Sequence, residues 1–193
     1  MCWLPCNVLN TFSYIGNLIM NGEEEELREA VTKMGLKYSG LFDEKLDGPA
    51  VSWHEVNEMQ AKDTVYLVDV RSKAEREVSM VTGAMSRSDF EALDLQPDEE
   101  KNNNIKIVTY CTIGYRSGKY ACELSDKGWN GRVSNGQGVV PWSWEKKEGL
   151  LVHDGQPTMR VHTYGPAWNN AGPGYTTETF SVFRQIITFL FGG

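Results

Sequence analysis

Basic charge is scarce in this chain. Nineteen Lys and Arg stand against 26 Asp and Glu, a net charge of -7 with a pI near 5.0. No basic patch interrupts that balance, which excludes the electrostatic footprint of nucleic-acid binding. Cysteine is scarce too. Four residues (Cys2, Cys6, Cys111, Cys122) in 193 are too few for a disulfide scaffold. Cys2 and Cys6 form a lone C-x3-C without a second ligand pair, and His54, His153 and His162 are scattered. Neither a metal site nor a cofactor is expected from such spacing. From Met1 to Gly22 there is no Asp, Glu, Lys, Arg or His at all. That stretch lacks the basic n-region of a secretory signal and the arginines of a transit peptide. It is long enough to span a bilayer, yet Pro5, Asn7, Asn10, Asn17 and Asn21 are costly in lipid. It reads as a partly apolar helix that packs on its own domain, on a partner or on a membrane surface.

What is present fits a soluble globular protein: 40% hydrophobic and 23% charged residues, enough chain for one domain with extensions. Glu23 to Lys33, with Leu27, Ala30, Val31 and Met34 on one face, reads as an amphipathic helix punctuated by Gly35 and Gly40. Asp43 to Pro49 reads as a linker. Ser52 is an N-cap, with Glu55 completing a capping box. Thr64 to Val70 and Ile105 to Tyr110 are apolar runs of strand length, as in parallel strands buried on both faces. Gly83-Ala84 marks a turn between them. Gly118 to Lys127 reads as a helix stopped by Gly128, and Arg132 to Ser134 as a third strand. This alternation predicts an α/β layered domain with a mainly parallel central sheet flanked by helices. The expected division is residues 1–48 as a helical extension, 49–152 as the domain, and 153–193 as a C-terminal loop and amphipathic helix. In that last part, His153 to Gly174 reads as irregular with Tyr164 and Trp168 pinned to the domain. Thr177 to Leu190 carries Phe180, Phe183, Ile187 and Leu190 on one helical stripe.

The chemistry concentrates where the second buried strand ends. Cys111-Thr112-Ile113-Gly114-Tyr115-Arg116-Ser117 begins with cysteine, turns on glycine and leads into a helix. In open parallel sheets ligands bind at the carboxyl ends of strands. Converging backbone N–H groups and a helix N-terminus there favour an anion, here a thiolate. Cys122 lies eleven residues further along the helix, too distant at 1.5 Å rise per residue to pair with Cys111. It is expected in the core.

Several motifs in order resemble the rhodanese-like sulfurtransferase family, over Val51 to Val152. Asp69-Val70-Arg71 is similar to the family's Asp-Val-Arg at the end of the first buried strand. Glu75 and Glu77 fall on usual acidic positions, and Gly83-Ala84 on the end of Gly-His-Ile-Pro-Gly-Ala. Cys111 to Ser117 resembles the Cys-x-x-Gly-x-Arg-Ser active loop, and Gly138 with Trp142 the closing Gly-Gly-x-x-x-Trp. Two departures stand out: Ser79-Met80-Val81-Thr82 replaces Gly-His-Ile-Pro, and Gln137 replaces the first closing glycine.

The resemblance implies a rhodanese-like fold and a sulfurtransferase with Cys111 as catalytic residue. Thr112, Ile113, Gly114, Tyr115, Arg116 and Ser117 would bind substrate, with Asp69 and Arg71 supporting the loop. Arg116 either binds substrate or braces the loop through a carboxylate. Four residues separate Cys111 from Arg116, whereas related cysteine phosphatases and arsenate reductases carry five. The shorter loop suits a persulfide better than a tetrahedral oxyanion. The implied partners are a small sulfur donor such as thiosulfate and a thiol, cyanide or protein acceptor, in a reducing compartment (cytoplasm or organelle interior). An unperturbed cysteine of pKa about 8.5 is only a few per cent thiolate at neutral pH. Lowering the value to roughly 7 raises that fraction more than tenfold, while nucleophilicity falls less steeply. The competing expectation is a rhodanese-like interaction module, docked through its apolar termini, in which Cys111 is dispensable.

Overall fold

A computed structural model describes residues 24–98, 102, 104–146, 148–165 and 168–179. The expected helix in residues 1–22 lies outside them, as does the apolar stripe of Phe180, Phe183, Ile187 and Leu190.

The central sheet has strand order β3-β1-β4-β5, all parallel, formed by β1 (Thr64–Asp69), β3 (Met85–Ser86), β4 (Ile105–Tyr110) and β5 (Val133–Asn135). It is flanked by helices, as an α/β layered fold requires. Side chains alternate between its faces. Leu67, Val108 and Tyr110 join one buried cluster beneath helices α1 (Glu24–Ser39), α3 (Trp53–Gln60) and α7 (Val139–Glu145). Val68, Ile105 and Ile107 join the other, with Phe90 of α5 (Arg87–Glu91) and Tyr120, Ala121 and Leu124 of α6 (Tyr115–Leu124). Fully buried Val, Leu and Ile side chains each stabilise by about 1.5–3 kcal/mol. The two clusters therefore hold the sheet from both sides.

Local chemistry accounts for the element ends. Ser52 caps α3 in the expected box with Glu55, and Ser72 caps α4 (Lys73–Val78) in a second box with Glu75. Three acidic residues in the first turn of α1 and Lys37 in its last complement the helix dipole.

The structure differs from the sequence expectations in five places. Helix α1 does not stop at Gly35. It runs through to Ser39, burying Val31, Met34, Gly35, Tyr38 and Ser39 on one face. Gly35 serves close approach rather than termination, because a Cβ there would lie 2.6 Å from Cγ of Pro141. The expected linker is helical: a 3-10 turn over Gly40–Phe42, then α2 (Asp43–Leu46). Helix α6 begins three residues early at Tyr115, since Gly114 adopts φ 85° as its N-cap. Leu124 leads into a π-turn over Ser125–Trp129, closed at Gly128 with φ 100°.

The last difference is the C-terminal part. The stretch expected to be irregular from His153 carries β7 (Gln156–Thr158) and β8 (Arg160–His162), and β6 (Leu151–His153) runs into its first residue. Residues expected to open a helix instead form β9 (Thr176–Glu178), which pairs with β8. The short β2 (Met80–Val81) joins β6 and β7 in a three-stranded antiparallel sheet. Among the described residues no helix is long and apolar enough to cross a membrane.

Candidate active site at the end of β4

Strands β1 and β4 pair in register from Thr64↔Ile105 to Asp69↔Tyr110, so both end at one edge of the sheet. The Asp69-Val70-Arg71 corner and Cys111 therefore leave the sheet side by side. Asp69 and Arg71 form an ion pair with no exposed side-chain surface, 2.7 Å from Nη2 to Oδ2. Arg71 also donates to the carbonyl of Ser79 at 2.8 Å. The Tyr110 hydroxyl donates to Asp69 Oδ2 at 2.6 Å and accepts from the Val81 N–H at 3.0 Å. Burial pushes the Tyr110 phenol well up, so it remains a donor. These bonds brace the residue immediately before Cys111. The link from Asp69 and Arg71 to the loop thus runs through Tyr110.

Cys111 is 1% exposed, and Thr112 and Ser117 are also buried. The loop's outward carbonyls are tied down. The N–H groups of Val139 and Val140, opening α7, donate to the carbonyls of Cys111 at 2.9 Å and Thr112 at 3.1 Å. Asn135 Nδ2 donates to the Gly114 carbonyl at 2.8 Å. In a planar trans peptide the next N–H points opposite to the carbonyl. The N–H groups of Thr112, Ile113 and Tyr115 are thereby turned to the inner side, a concave anion cradle. Gly138 permits the approach of α7: its φ is 111°, and a Cβ would meet the Thr112 carbonyl at 2.6 Å.

Burial alone would push the Cys111 thiol up. The Arg116 charge, the Ser117 N–H and hydroxyl, and the Ile113 N–H outweigh it, so the thiol lies below its ordinary value. This is the electrostatic setting of a reactive cysteine. Cys122 contrasts with it. The side chain is half-buried at the edge of the second cluster rather than within it, and burial raises its thiol.

Arg116 takes the bracing arrangement of its two alternatives. Its Nη1 and Nη2 donate to Glu75 Oε2 at 2.8 Å and Oε1 at 2.7 Å, and Nη2 reaches Thr112 Oγ1 at 3.3 Å. Such a two-point fork fixes the guanidinium plane. Glu75 is 1% exposed and also receives the Ser72 N–H and hydroxyl. Burial would raise its carboxyl, but Arg116, His162 and Arg71 hold it well below the usual carboxylate range. Tyr115 is half-buried, its ring 5.9 Å from Phe42 and beneath Lys119 Nζ at 4.7 Å. Ile113 joins the cluster that holds Tyr38, and Tyr38 stacks edge-on with Trp168 at 5.3 Å.

Four contributors were not singled out from sequence. Glu75 appeared only as a usual acidic position. Asn135, Ser39 and His162 carry no local signal, because the first two meet the loop, and His162 meets Glu75, from elements remote in sequence. The histidines formed no cluster on paper, yet His162 Nδ1 lies 3.6 Å from Glu75 Oε1. Tyr164, expected to be pinned to the domain, sets its ring 5.5 Å from the Arg116 guanidinium.

The arrangement can stabilise a thiolate, or a sulfur anion one atom further out. The family model described as a rhodanese-like domain matches residues 52–143. Among solved structures the chain is similar to a thiosulfate sulfurtransferase from Pseudomonas aeruginosa, with 20% identity and a TM-score of 0.46 over 65% of this chain. The chain spans 24% of that protein's length. No curated protein sequence matches.

Proposed function

Residues 52–143 form a rhodanese-like domain, and from that premise we propose that the chain is a sulfurtransferase working through a persulfide on Cys111. One observation carries the reading: a buried cysteine at a strand end begins a loop whose Cys111, Thr112 and Gly114 carbonyls are bonded outward.

In the first step the Cys111 thiolate attacks the outer sulfur of a sulfane-sulfur donor such as thiosulfate. The sulfur–sulfur bond of the donor breaks and its electron pair leaves on sulfite. A new sulfur–sulfur bond joins Cys111 to the transferred atom, which carries the negative charge. The inward N–H groups of Thr112, Ile113 and Tyr115 stabilise that charge as it moves outward, and no proton is required. In the second step a thiophile (cyanide, a small thiolate or a protein thiolate) attacks the outer sulfur. The bond to Cys111 breaks and the thiolate is regenerated. Arg116, paired with Glu75, contributes by holding the loop closed to its four-residue span and by its charge beside the sulfur.

The test is turnover of thiosulfate and cyanide to sulfite and thiocyanate. The wild-type chain should turn over, and Cys111→Ser should fall to the uncatalysed rate in a protein with unchanged circular dichroism. Equal rates in the two would remove Cys111 from the mechanism.

A further inference from the structure

Helix α7 holds two carbonyls of the cysteine loop, yet it has only seven residues and begins at Gly138 without a side-chain cap. A helix that short is not stable by itself. Its first-turn donors are committed. Val139 and Val140 give their N–H groups to the loop, Pro141 has none, and Trp142 donates to the Gly138 carbonyl at 3.0 Å. Loop and first turn therefore cap each other, and whatever fixes α7 also fixes the cradle. Residues 168–175 run against that helix. The Gly172 N–H donates to Ser143 Oγ at 2.8 Å, and the Ser143 hydroxyl donates its own proton to the Val140 carbonyl at 2.6 Å. Ser143 is fully buried, so water cannot replace either bond. Trp144 Nε1 donates to the Asn170 carbonyl and the Tyr175 hydroxyl to the Lys146 carbonyl, both at 2.8 Å. Trp168, Ala171 and Tyr175 pack on the cluster that contains Ile113, Val139 and Val140. Gly172 has no room for a Cβ, which would lie 2.3 Å from the Ser143 carbonyl oxygen. Residues 168–175 lie beyond the span 52–143 that matches the family.

We propose that Ser143 is a positioning residue for Cys111: its bond to Gly172 ties residues 168–175 to the turn of α7 that orients the cysteine loop. The inference rests on Cys111 being the reactive sulfur. With the tie intact, the Cys111 and Thr112 carbonyls stay turned to α7, and the N–H groups of Thr112 and Ile113 stay turned inward. With the tie broken, the first turn of α7 and those two carbonyls loosen together. The inward N–H groups lose their alignment, and the thiolate loses stabilisation.

The experiment is the pH profile of Cys111 alkylation by iodoacetamide, read by peptide mass so that Cys2, Cys6 and Cys122 do not contribute. Ser143→Ala removes the hydroxyl from both bonds, and Gly172→Ala forces the segment off Ser143 by a backbone clash. Each should move the midpoint up by about half a unit, roughly threefold less thiolate below the midpoint. Phe90→Leu, in the other buried cluster, is the control for a loss of stability alone and should leave the midpoint in place. A midpoint unmoved in folded Ser143→Ala, or moved as far by Phe90→Leu, would overturn the proposal. If neither α7 variant folds, amide hydrogen exchange in the wild-type chain carries the test. The N–H groups of Gly172, Val139 and Val140 should open together, with protection equal within a few-fold. Val139 and Val140 amides that stay protected while Gly172 exchanges would show that α7 does not depend on the tie, and would overturn the proposal. Neither measurement needs a sulfur donor, so failure of sulfur transfer and failure of this inference are separately visible.

Discussion

Ser39 and Phe42, which precede residues 52–143, press carbon against two glycines of the cysteine loop and its helix. His162 and Tyr164, which follow that span, set polar and aromatic groups against Glu75 and Arg116. On the first side a Cβ at Gly114 would lie 2.5 Å from Cβ of Ser39, and one at Gly118 would lie 2.1 Å from Cδ2 of Phe42. On the second, Nδ1 of His162 stands 3.6 Å from Glu75, and the ring of Tyr164 stands 5.5 Å from a guanidinium whose side chain is 35% exposed. Steric contact has no gradual range, so the first flank sets the loop's shape. Contact through charge and ring quadrupole, partly in water, is soft and screened, so the second flank adjusts it. The working cradle therefore takes in α1 and β8 as well as the residues that match the family.

The largest effect should come from breaking the first flank. Gly114→Ala forces a side chain onto a φ of 85° and into Ser39, and should cost about 3 kcal/mol by the usual scale of strain and overpacking. Chemical denaturation would read the loss, and sulfur transfer should fall at least tenfold. Gly118→Ala should be milder because Gly118 needs no positive φ and meets only the ring of a side chain that can turn, whereas Gly114 also faces the Gly136 carbonyl. A Gly118→Ala, Phe42→Ala double variant that is more stable than the sum of the single changes would show that the glycine serves that contact. Strict additivity would deny it.

Glu75→Gln tests the residue on which the second flank converges. Breaking a buried pair costs about 3–5 kcal/mol, reduced here to roughly 1–3 because Arg116 is a third exposed. The Glu75 carboxyl is lowered in the folded chain, so its stabilisation is complete above the ordinary carboxylate pKa of about 4.3 and is lost only as pH falls further. The stability gap between wild type and Glu75→Gln should therefore be constant from pH 5 to 8 and close in stronger acid, as measured by urea midpoints across pH. A gap that closes near neutrality would assign the effect to another group. Tyr164→Ala should be the smallest change. A half-exposed cation–π contact contributes about 0.5–1 kcal/mol, so turnover should stay within a few-fold of wild type. A loss as large as that of Gly114→Ala would erase the contrast between the flanks.

The buried strands, the Ser52 cap and the position of Cys111 at a strand end were legible because each is encoded locally, by apolar runs, an i to i+3 pair and a glycine turn. The partners of the loop were not. Glu75 reaches Arg116 across 41 positions and Asn135 reaches Ser39 across 96, and no local pattern records such pairings. The same limit explains Gly35, whose meaning as a packing contact depends on Pro141 in a distant helix. It also explains β8 and β9, three-residue strands too short to show a period and defined by each other's backbone.

The most direct test of the account is the intact mass of the reduced protein after incubation with thiosulfate, beside Cys111→Ser. A gain of one sulfur atom is expected in the wild type alone, discharged by cyanide. A folded wild-type protein that gains no sulfur from thiosulfate or from a low-molecular-weight persulfide would contradict it.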